Sequence, residues 1–306
     1  MTRRFIEIVE VGPRDGLQNE KTILTPEVRL EFVRRLEAAG AKRIEAVSFV
    51  HPKYVPQMAG AEEVMAGLPH EAGRSRIGLV LNGKGYDRAL DTPVDEVNVS
   101  LSVSEGFGLK NQGLAPKEQL QMLSEIVAGR ANAQGAGENV PSLSATLSCV
   151  WGCPFDGEIS VDQVSDMVGA IAELGLKEIA LADTIGVADP WSVTRKIEAA
   201  RKVAQEAKLR LHFHDTRNTG LANAYAGVEA GIDILDASVG GIGGCPFAPG
   251  ATGNLATEDL VYALQRGGFE TGYDLNALIE TAQWIGQNIN RPLPSALSRA
   301  GQFPRF

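Results

Sequence analysis

Short β-rich runs alternate with amphipathic helical runs along the chain. Residues 160–175 show the helical period, and residues 26–40 have Pro at the start and Gly at the end of the run, as helices often do. The pattern predicts strands over 5–11, 43–49, 76–82, 95–103, 141–150, 178–184, 209–216 and 233–239, and helices over 26–40, 61–68, 85–90, 116–132, 160–175, 190–206, 221–230 and 257–266.

Eight strands that alternate with eight helices predict an α/β fold, the (β/α)8 TIM barrel. A doubly wound open sheet is the alternative, but it usually has fewer units and a G-x-G-x-x-G fingerprint after its first strand. The Gly-rich run GGIGGC lacks that spacing and follows the last predicted strand. Since no linker divides the chain, we predict one domain over 1–306, with an extra C-terminal helix and tail over 275–306.

Composition narrows the class of protein. The chain has 306 residues, 44% of them hydrophobic, which is enough for a large core. Its net charge of −9 argues against a nucleic-acid partner, and no apolar run reaches the roughly 18 residues of a membrane span. Three cysteines, an odd and low number, argue against a disulfide framework. Because Glu7 and Glu10 interrupt the first apolar run, we interpret it as a strand, not an export signal, and expect a cytoplasmic protein.

Polar residues cluster where the predicted strands end, which is where such barrels hold their active sites. Arg14 and Asp15 follow the first strand. Glu45 stands inside the second, where a charged group must be paired or bind a metal. His212 and His214 are two apart on the seventh strand, so both rings should point into one space. The other candidates at these ends are Ser48, Asn82, Asp183, Thr184, Cys245 and Asn254.

Two imidazoles with carboxylates nearby, and with the amide oxygen of Asn254, could form a mixed nitrogen and oxygen site for a divalent metal ion. Such a donor set suits Mg²⁺, Mn²⁺ or Co²⁺, and Zn²⁺ is also possible. A pair of ordinary core histidines is the alternative.

Several of these residues have simpler interpretations. Asp183, Thr184 and Asp215 would serve as helix caps in any barrel. Cys245 lies in a Gly-rich loop and is either a nucleophile or proton donor, or a small residue that a tight loop tolerates.

The motifs also resemble those of a known family. They are VEVGPRDGLQNEK (9–21), IEAVSFVHPKYVPQM (44–58), SCVWGCPFDG (148–157), LADTIGV (181–187), HFHDT (212–216) and GGCPFAPGATGNLATEDLVY (243–262). Their order is similar to that in the 3-hydroxy-3-methylglutaryl-coenzyme A (HMG-CoA) lyase family of metal-dependent barrels, over about residues 5–290. The first and last motifs together are highly specific for the lyases.

The resemblance implies a retro-Claisen cleavage of an acyl-CoA thioester to acetyl-CoA and a ketone, acetoacetate for the familiar substrate. It implies that Arg14 stabilises the developing enolate and that Cys245 donates a proton. It also implies that Asp183 and Glu45 assist proton transfer or hold Arg14. The metal ligands it implies are Asp15, His212, His214 and Asn254. The residues assigned to the substrate are Ser48, Thr184, Asn82, Lys21 and Arg217, with Lys21 near the coenzyme A end.

Some positions depart from the family pattern near the substrate end. Arg217 replaces a usual Tyr and could add a carboxylate contact or pair with Asp215 or Glu258, and His51 stands where Ser is common. The alternative substrates are therefore citramalyl-CoA or a longer-branched glutaryl-CoA. A Claisen-type synthase and a non-enzymatic acyl-CoA-binding protein are less favoured classes. Family members imply a homodimer or higher homo-oligomer.

Overall fold

The computed structural model describes residues 3–138, 140–244 and 253–303. Within them, eight parallel strands close into a barrel. The barrel strands are β1 Glu7–Glu10, β2 Arg43–Ser48, β3 Ser75–Val80, β4 Glu96–Ser102, β5 Ser142–Ser148, β8 Glu178–Asp183, β9 Lys208–Phe213 and β10 Ile234–Ala237. Their order is β1-β10-β9-β8-β5-β4-β3-β2, and the barrel closes where β1 pairs with both β10 and β2. The predicted (β/α)8 barrel is confirmed.

Helices surround the barrel, and most begin at caps that the sequence supplies. Ser160 accepts a hydrogen bond from the Gln163 backbone N (3.1 Å), and the Gln163 side chain accepts one from the Ser160 N (2.9 Å), a reciprocal capping box. The helices are α1 Pro26–Ala38, α2 Ala61–Ala66, α3 Gly83–Leu90, α4 Glu105–Gln112, α5 Pro116–Gly135, α6 Val161–Glu173, α7 Pro190–Val203, α8 Gly220–Glu229, α9 Thr257–Arg266, α10 Leu275–Ile289 and α11 Leu297–Ala300.

The structure adds elements that the pattern did not predict. Helix α4 contains Gly106 and Gly108, which weaken the helical signal. A short hairpin of β6 (Gly152–Cys153) and β7 (Gly157–Glu158) follows β5. Helix α11 stands in the C-terminal tail.

The barrel interior is ionic at the amino ends of its strands. Arg43 of β2 bonds the carboxylates of Glu96 and Glu178, each at 2.7 Å from Nη2. Arg210 of β9 is fully buried and lies 3.5 Å from the Glu178 carboxylate. The candidate site lies at the opposite, carboxyl end of the barrel. Among the residues described, no helix is long and apolar enough to cross a membrane.

Candidate active site

A single π-helical turn over Gly12–Gly16 carries Arg14 and Asp15 from the end of β1 into the barrel mouth. Two glycines permit this turn. A Cβ on Gly12 would lie 2.6 Å from Glu10 Oε1, and one on Gly16 would lie 2.7 Å from Ile242 Cγ1. The close packing of the turn therefore fixes where the two charged side chains enter the site.

The two histidines enter from the end of β9. His212 is within the strand, and His214 follows it and forms an isolated antiparallel bridge with Asn254. The ring centroids of the two histidines lie 5.2 Å apart. The segment that carries Asn254 is held by two further backbone hydrogen bonds, from Asp215 N to Gly253 O (3.0 Å) and from Leu255 N to Phe213 O (3.1 Å).

Asp15, His212 and His214 converge on one point. One ligand atom from each residue lies within 4.8 Å of the others. Asp15 Oδ2 is 3.8 Å from His212 Nε2 and 3.9 Å from His214 Nε2. Asn254 Nδ2 donates to Asp15 Oδ2 (2.8 Å), while Asn254 Oδ1 is buried without a hydrogen-bond partner in the described residues. A buried donor set with an unsatisfied oxygen fits a divalent metal ion.

Burial and the neighbouring charges shift the pKa values of the residues in this cluster. Burial alone would raise the pKa of Asp15, but Arg14 and the two histidines lower it to about 2. Burial, together with the neighbouring His212, lowers the pKa of His214 to about 4. Asp15 is thus ionised and His214 neutral at neutral pH, which are the forms that bind metal.

Arg14 lies between the carboxylates of Asp15 and Glu45. Its Nη1 is 2.6 Å from Asp15 Oδ1, and its Nε donates to Glu45 Oε1. Glu45 is almost completely buried, and its second oxygen accepts from Asn98 Nδ2 (3.1 Å). A permanent positive charge is therefore held in a fixed position beside the candidate metal site.

The side chains of Asp183 and Thr184, at the end of β8, both accept hydrogen bonds from backbone N–H groups of loops. The Asp183 carboxylate accepts from the backbone N–H groups of Val187 (2.9 Å) and Ala188 (3.0 Å). Burial raises the pKa of Asp183, and these backbone hydrogen bonds oppose the shift. Thr184 Oγ1 accepts from the Cys149 N (2.8 Å).

The residues assigned to the substrate lie at the same end of the barrel but have other contacts. Asn82 is the N-cap of α3, where its Oδ1 accepts from Gly85 N (2.9 Å). Ser48 Oγ accepts from Val50 N (3.3 Å), and Lys21 is exposed. Arg217 Nη1 donates to the carbonyls of Ile185 (2.9 Å) and Gly186 (2.8 Å), which ties the loop after β9 to the loop after β8.

Glu258, one of the partners considered for Arg217, is fully buried and accepts from Gly240 N (2.9 Å). Cys245 lies outside the described residues. The Gly244 carbonyl, just before the segment that holds Cys245, accepts from Asn19 Nδ2 (2.6 Å), and Asn254, two residues after that segment, contacts Asp15.

Two buried residues near the site escaped the sequence analysis. Asp236 of β10 lies beside His212, with its Oδ2 3.2 Å from His212 Nδ1. Asn98 of β4 holds Glu45. The signal for Asp236 was present, because it is a charged residue inside a predicted apolar strand, as Glu45 is.

These features define a (β/α)8 barrel with a candidate divalent-metal centre and a part-buried arginine at the carboxyl ends of its strands. Within that class, the chain belongs to the HMGL-like family, whose model matches residues 5–285.

Named relatives match nearly the full chain. A hydroxymethylglutaryl-CoA lyase of Bacillus subtilis is 39% identical over 290 residues, which are 95% of each chain. A Pseudomonas aeruginosa relative, named as a 3-hydroxy-3-isohexenylglutaryl-CoA and hydroxymethylglutaryl-CoA lyase, is 41% identical over 92% of this chain and 91% of that one. A solved structure of an HMG-CoA lyase from Acinetobacter baumannii, in complex with coenzyme A and 3-methylmalate, matches this fold with a TM-score of 0.92. The match covers 99% of this chain and 97% of that one, and the two sequences are 37% identical.

Proposed function

We propose that the protein cleaves 3-hydroxy-3-methylglutaryl-CoA to acetyl-CoA and acetoacetate. The observation that carries the proposal is the arrangement of Arg14 beside the cluster of Asp15, His212 and His214, in a chain of the HMGL-like family. The reaction removes the proton of the 3-hydroxyl, breaks the C2–C3 bond and protonates C2 of the resulting acetyl-CoA enolate.

Asp15, His212, His214 and Asn254 are the proposed ligands of Mg²⁺ or Mn²⁺, with Co²⁺ and Zn²⁺ as alternatives. When bound there, the ion supplies Lewis acidity that lowers the pKa of the substrate hydroxyl and orients the substrate.

Arg14 stabilises the negative oxygen that develops on the thioester. A guanidinium fixed before the reaction stabilises such a charge without rearranging. Glu45 holds Arg14 in place, because one of its oxygens accepts a hydrogen bond from Arg14 and the other accepts one from Asn98.

Asp183 is the proposed acceptor of the hydroxyl proton, since it is a buried carboxylate at the same rim of the barrel and burial raises its pKa. Cys245 is the proposed donor of the proton to C2. Thr184, Ser48, Lys21 and Arg217 line the proposed approach for the acyl-CoA.

The test that separates a lyase from a synthase uses HMG-CoA as the sole substrate. We expect equal amounts of acetyl-CoA and acetoacetate to appear without a second substrate. If metal-loaded, folded protein releases neither product, the proposed cleavage is wrong.

A longer-branched substrate is the second candidate, and the Pseudomonas aeruginosa relative named for two glutaryl thioesters favours it. The exposed His51 and the loop contacts of Arg217 are at the end of the barrel where a longer branch would lie. Comparing kcat/KM for HMG-CoA and 3-hydroxy-3-isohexenylglutaryl-CoA decides between them, and we expect HMG-CoA to be the better substrate. The homodimer and the cytoplasmic location remain predictions.

A further inference from the structure

Asp236 and His212 are register partners on adjacent parallel strands of the barrel. β10 pairs with β9 so that Asp236 lies opposite His212, and both side chains are buried. Asp236 Oδ2 is 3.2 Å from His212 Nδ1, on the side of the ring away from the candidate metal site. The other ring nitrogen, Nε2, is 3.8 Å from Asp15 Oδ2.

This contact distinguishes the two histidines. A carboxylate accepts a hydrogen bond, so the neutral His212 ring must carry its proton on Nδ1, which leaves the Nε2 lone pair free for a metal ion. His214 Nδ1, in contrast, is buried and has no hydrogen-bond partner among the described residues. Only His212 is therefore held in its ligating tautomer by a side chain in the described structure.

Asp236 is in turn held by the ionic interior of the barrel. Arg210 Nε forms ion pairs, without hydrogen bonds, with Asp236 Oδ1 (3.4 Å) and Glu178 Oε1 (3.5 Å), and Arg43 Nη2 bonds the same Glu178 oxygen at 2.7 Å. A buried carboxylate needs such a compensating charge to remain ionised. The array of alternating charges runs from the amino end of the barrel to the ring of His212.

We propose that Asp236 is a positioning residue that fixes the tautomer and orientation of His212 for the metal ion, and that Arg210 holds Asp236 in place. The proposal rests on the proposed function, because it concerns the same metal site.

Asp236→Asn gives the sharpest test. Arg210 will attract the amide oxygen, so the amide NH₂ will face His212 Nδ1. The neutral ring must then carry its proton on Nε2, the nitrogen that should bind the metal. We expect Mn²⁺ to bind the full-length, metal-stripped variant about 10- to 100-fold more weakly than the wild type, as measured by calorimetry.

Thr146→Val is the matched control. Thr146 Oγ1 accepts hydrogen bonds from Arg210 Nη2 (3.4 Å) and Asn98 Nδ2 (2.8 Å), so the substitution disturbs the same polar interior at a residue that has no hydrogen bond to Asp236 or His212 in the described structure. We expect its Mn²⁺ affinity to stay within about threefold of wild type. Equal losses in the two variants would overturn the positioning role and indicate general loosening of the barrel.

The wild-type protein provides a test that does not depend on a variant folding. Long-range ¹H–¹⁵N spectra of the metal-free protein, at a pH where the rings are neutral, should show His212 with its proton on Nδ1. The chain has four histidines, which single substitutions assign. A proton on Nε2 would overturn the proposal.

The outcomes also separate this proposal from the proposed function. A wild type that binds no Mn²⁺ would overturn both the metal site and the role of Asp236. A wild type that binds Mn²⁺, with Asp236→Asn binding it equally well, would overturn the role of Asp236 alone.

Discussion

Arg14 is part-buried between two carboxylates and lies next to the proposed reacting centre. Its bonds to Asp15 and Glu45 fix the guanidinium before substrate arrives. The charge is thus available for the transition state, where a positioned donor contributes most.

Arg14→Ala should lower kcat by about 100- to 1000-fold or more, because the developing enolate loses its positive partner. Mn²⁺ binding should be largely retained, since the four proposed ligands remain. Acetoacetate formation and calorimetry measure the two effects. Arg35→Ala, which removes a surface arginine paired with Glu31, is the control and should keep normal turnover. Normal turnover in Arg14→Ala would contradict the assigned role.

His214→Ala should abolish stoichiometric metal retention, because it removes one of the converging ligand atoms. Metal content after dialysis is the measurement. His70→Ala is the matched control, since His70 is exposed and paired with Asp95 at 2.6 Å. If His214→Ala retains one metal ion per chain, His214 does not belong to the ligand set.

At the scale of elements, the buried carboxyl group of Glu10 joins loops that come from distant parts of the chain. Glu10 Oε1 accepts from Gly12 N (2.7 Å) and Val239 N (3.0 Å), and its Oε2 accepts from Thr257 Oγ1 (2.7 Å). These contacts connect the Arg14 turn, the loop after β10 and the start of α9. The site therefore depends on one side chain that touches none of its proposed ligands.

Burial raises the pKa of Glu10 to about 8, so the folded protein holds a proton that the unfolded chain releases near pH 4.5. The stability contributed by this proton is complete below pH 4.5 and is lost as pH rises to about 8. Glu10→Gln keeps the shape without the ionisation. We expect its free energy of unfolding to fall less steeply than that of wild type between pH 5 and 8, as measured by urea unfolding. Parallel pH profiles would show that Glu10 does not carry this dependence.

The cap of α3 tests whether Asn82 acts on structure or on substrate. Asn82→Ala should lower the free energy of unfolding by about 1 kcal/mol, because the helix loses its N-cap, whereas Asn82→Asp preserves the cap. We expect Asn82→Asp to leave the KM for HMG-CoA unchanged. A many-fold rise in KM without loss of stability would instead place Asn82 in the substrate site.

At the scale of the molecule, the barrel was predictable because short, mostly apolar β-rich runs alternate with amphipathic helical runs along the chain. The same rule predicted that Arg14, Asp15 and His212 would meet, since strand ends converge at one rim. Helix α4 was missed because Gly106 and Gly108 mask its period. The bond between Asp236 and His212 was missed because sequence pattern shows that a buried charge needs a partner without showing which one.

Loop contacts set a further limit on prediction. Pairing with Asp215 or Glu258 was one alternative for Arg217, whereas the structure shows that Arg217 donates to the carbonyls of Ile185 and Gly186. Such contacts depend on how two loops approach each other at the rim, which is a property of the closed barrel and leaves no periodic signal in the chain. A contact between Arg217 and a substrate carboxylate stays a prediction.

The most direct test of the account is acetoacetate formation from HMG-CoA by the same protein preparation, first stripped of metal and then reloaded with Mg²⁺ or Mn²⁺. We expect negligible turnover without metal and turnover on the order of 10 per second after reloading. Folded protein that binds the metal and still forms no acetoacetate would contradict this expectation.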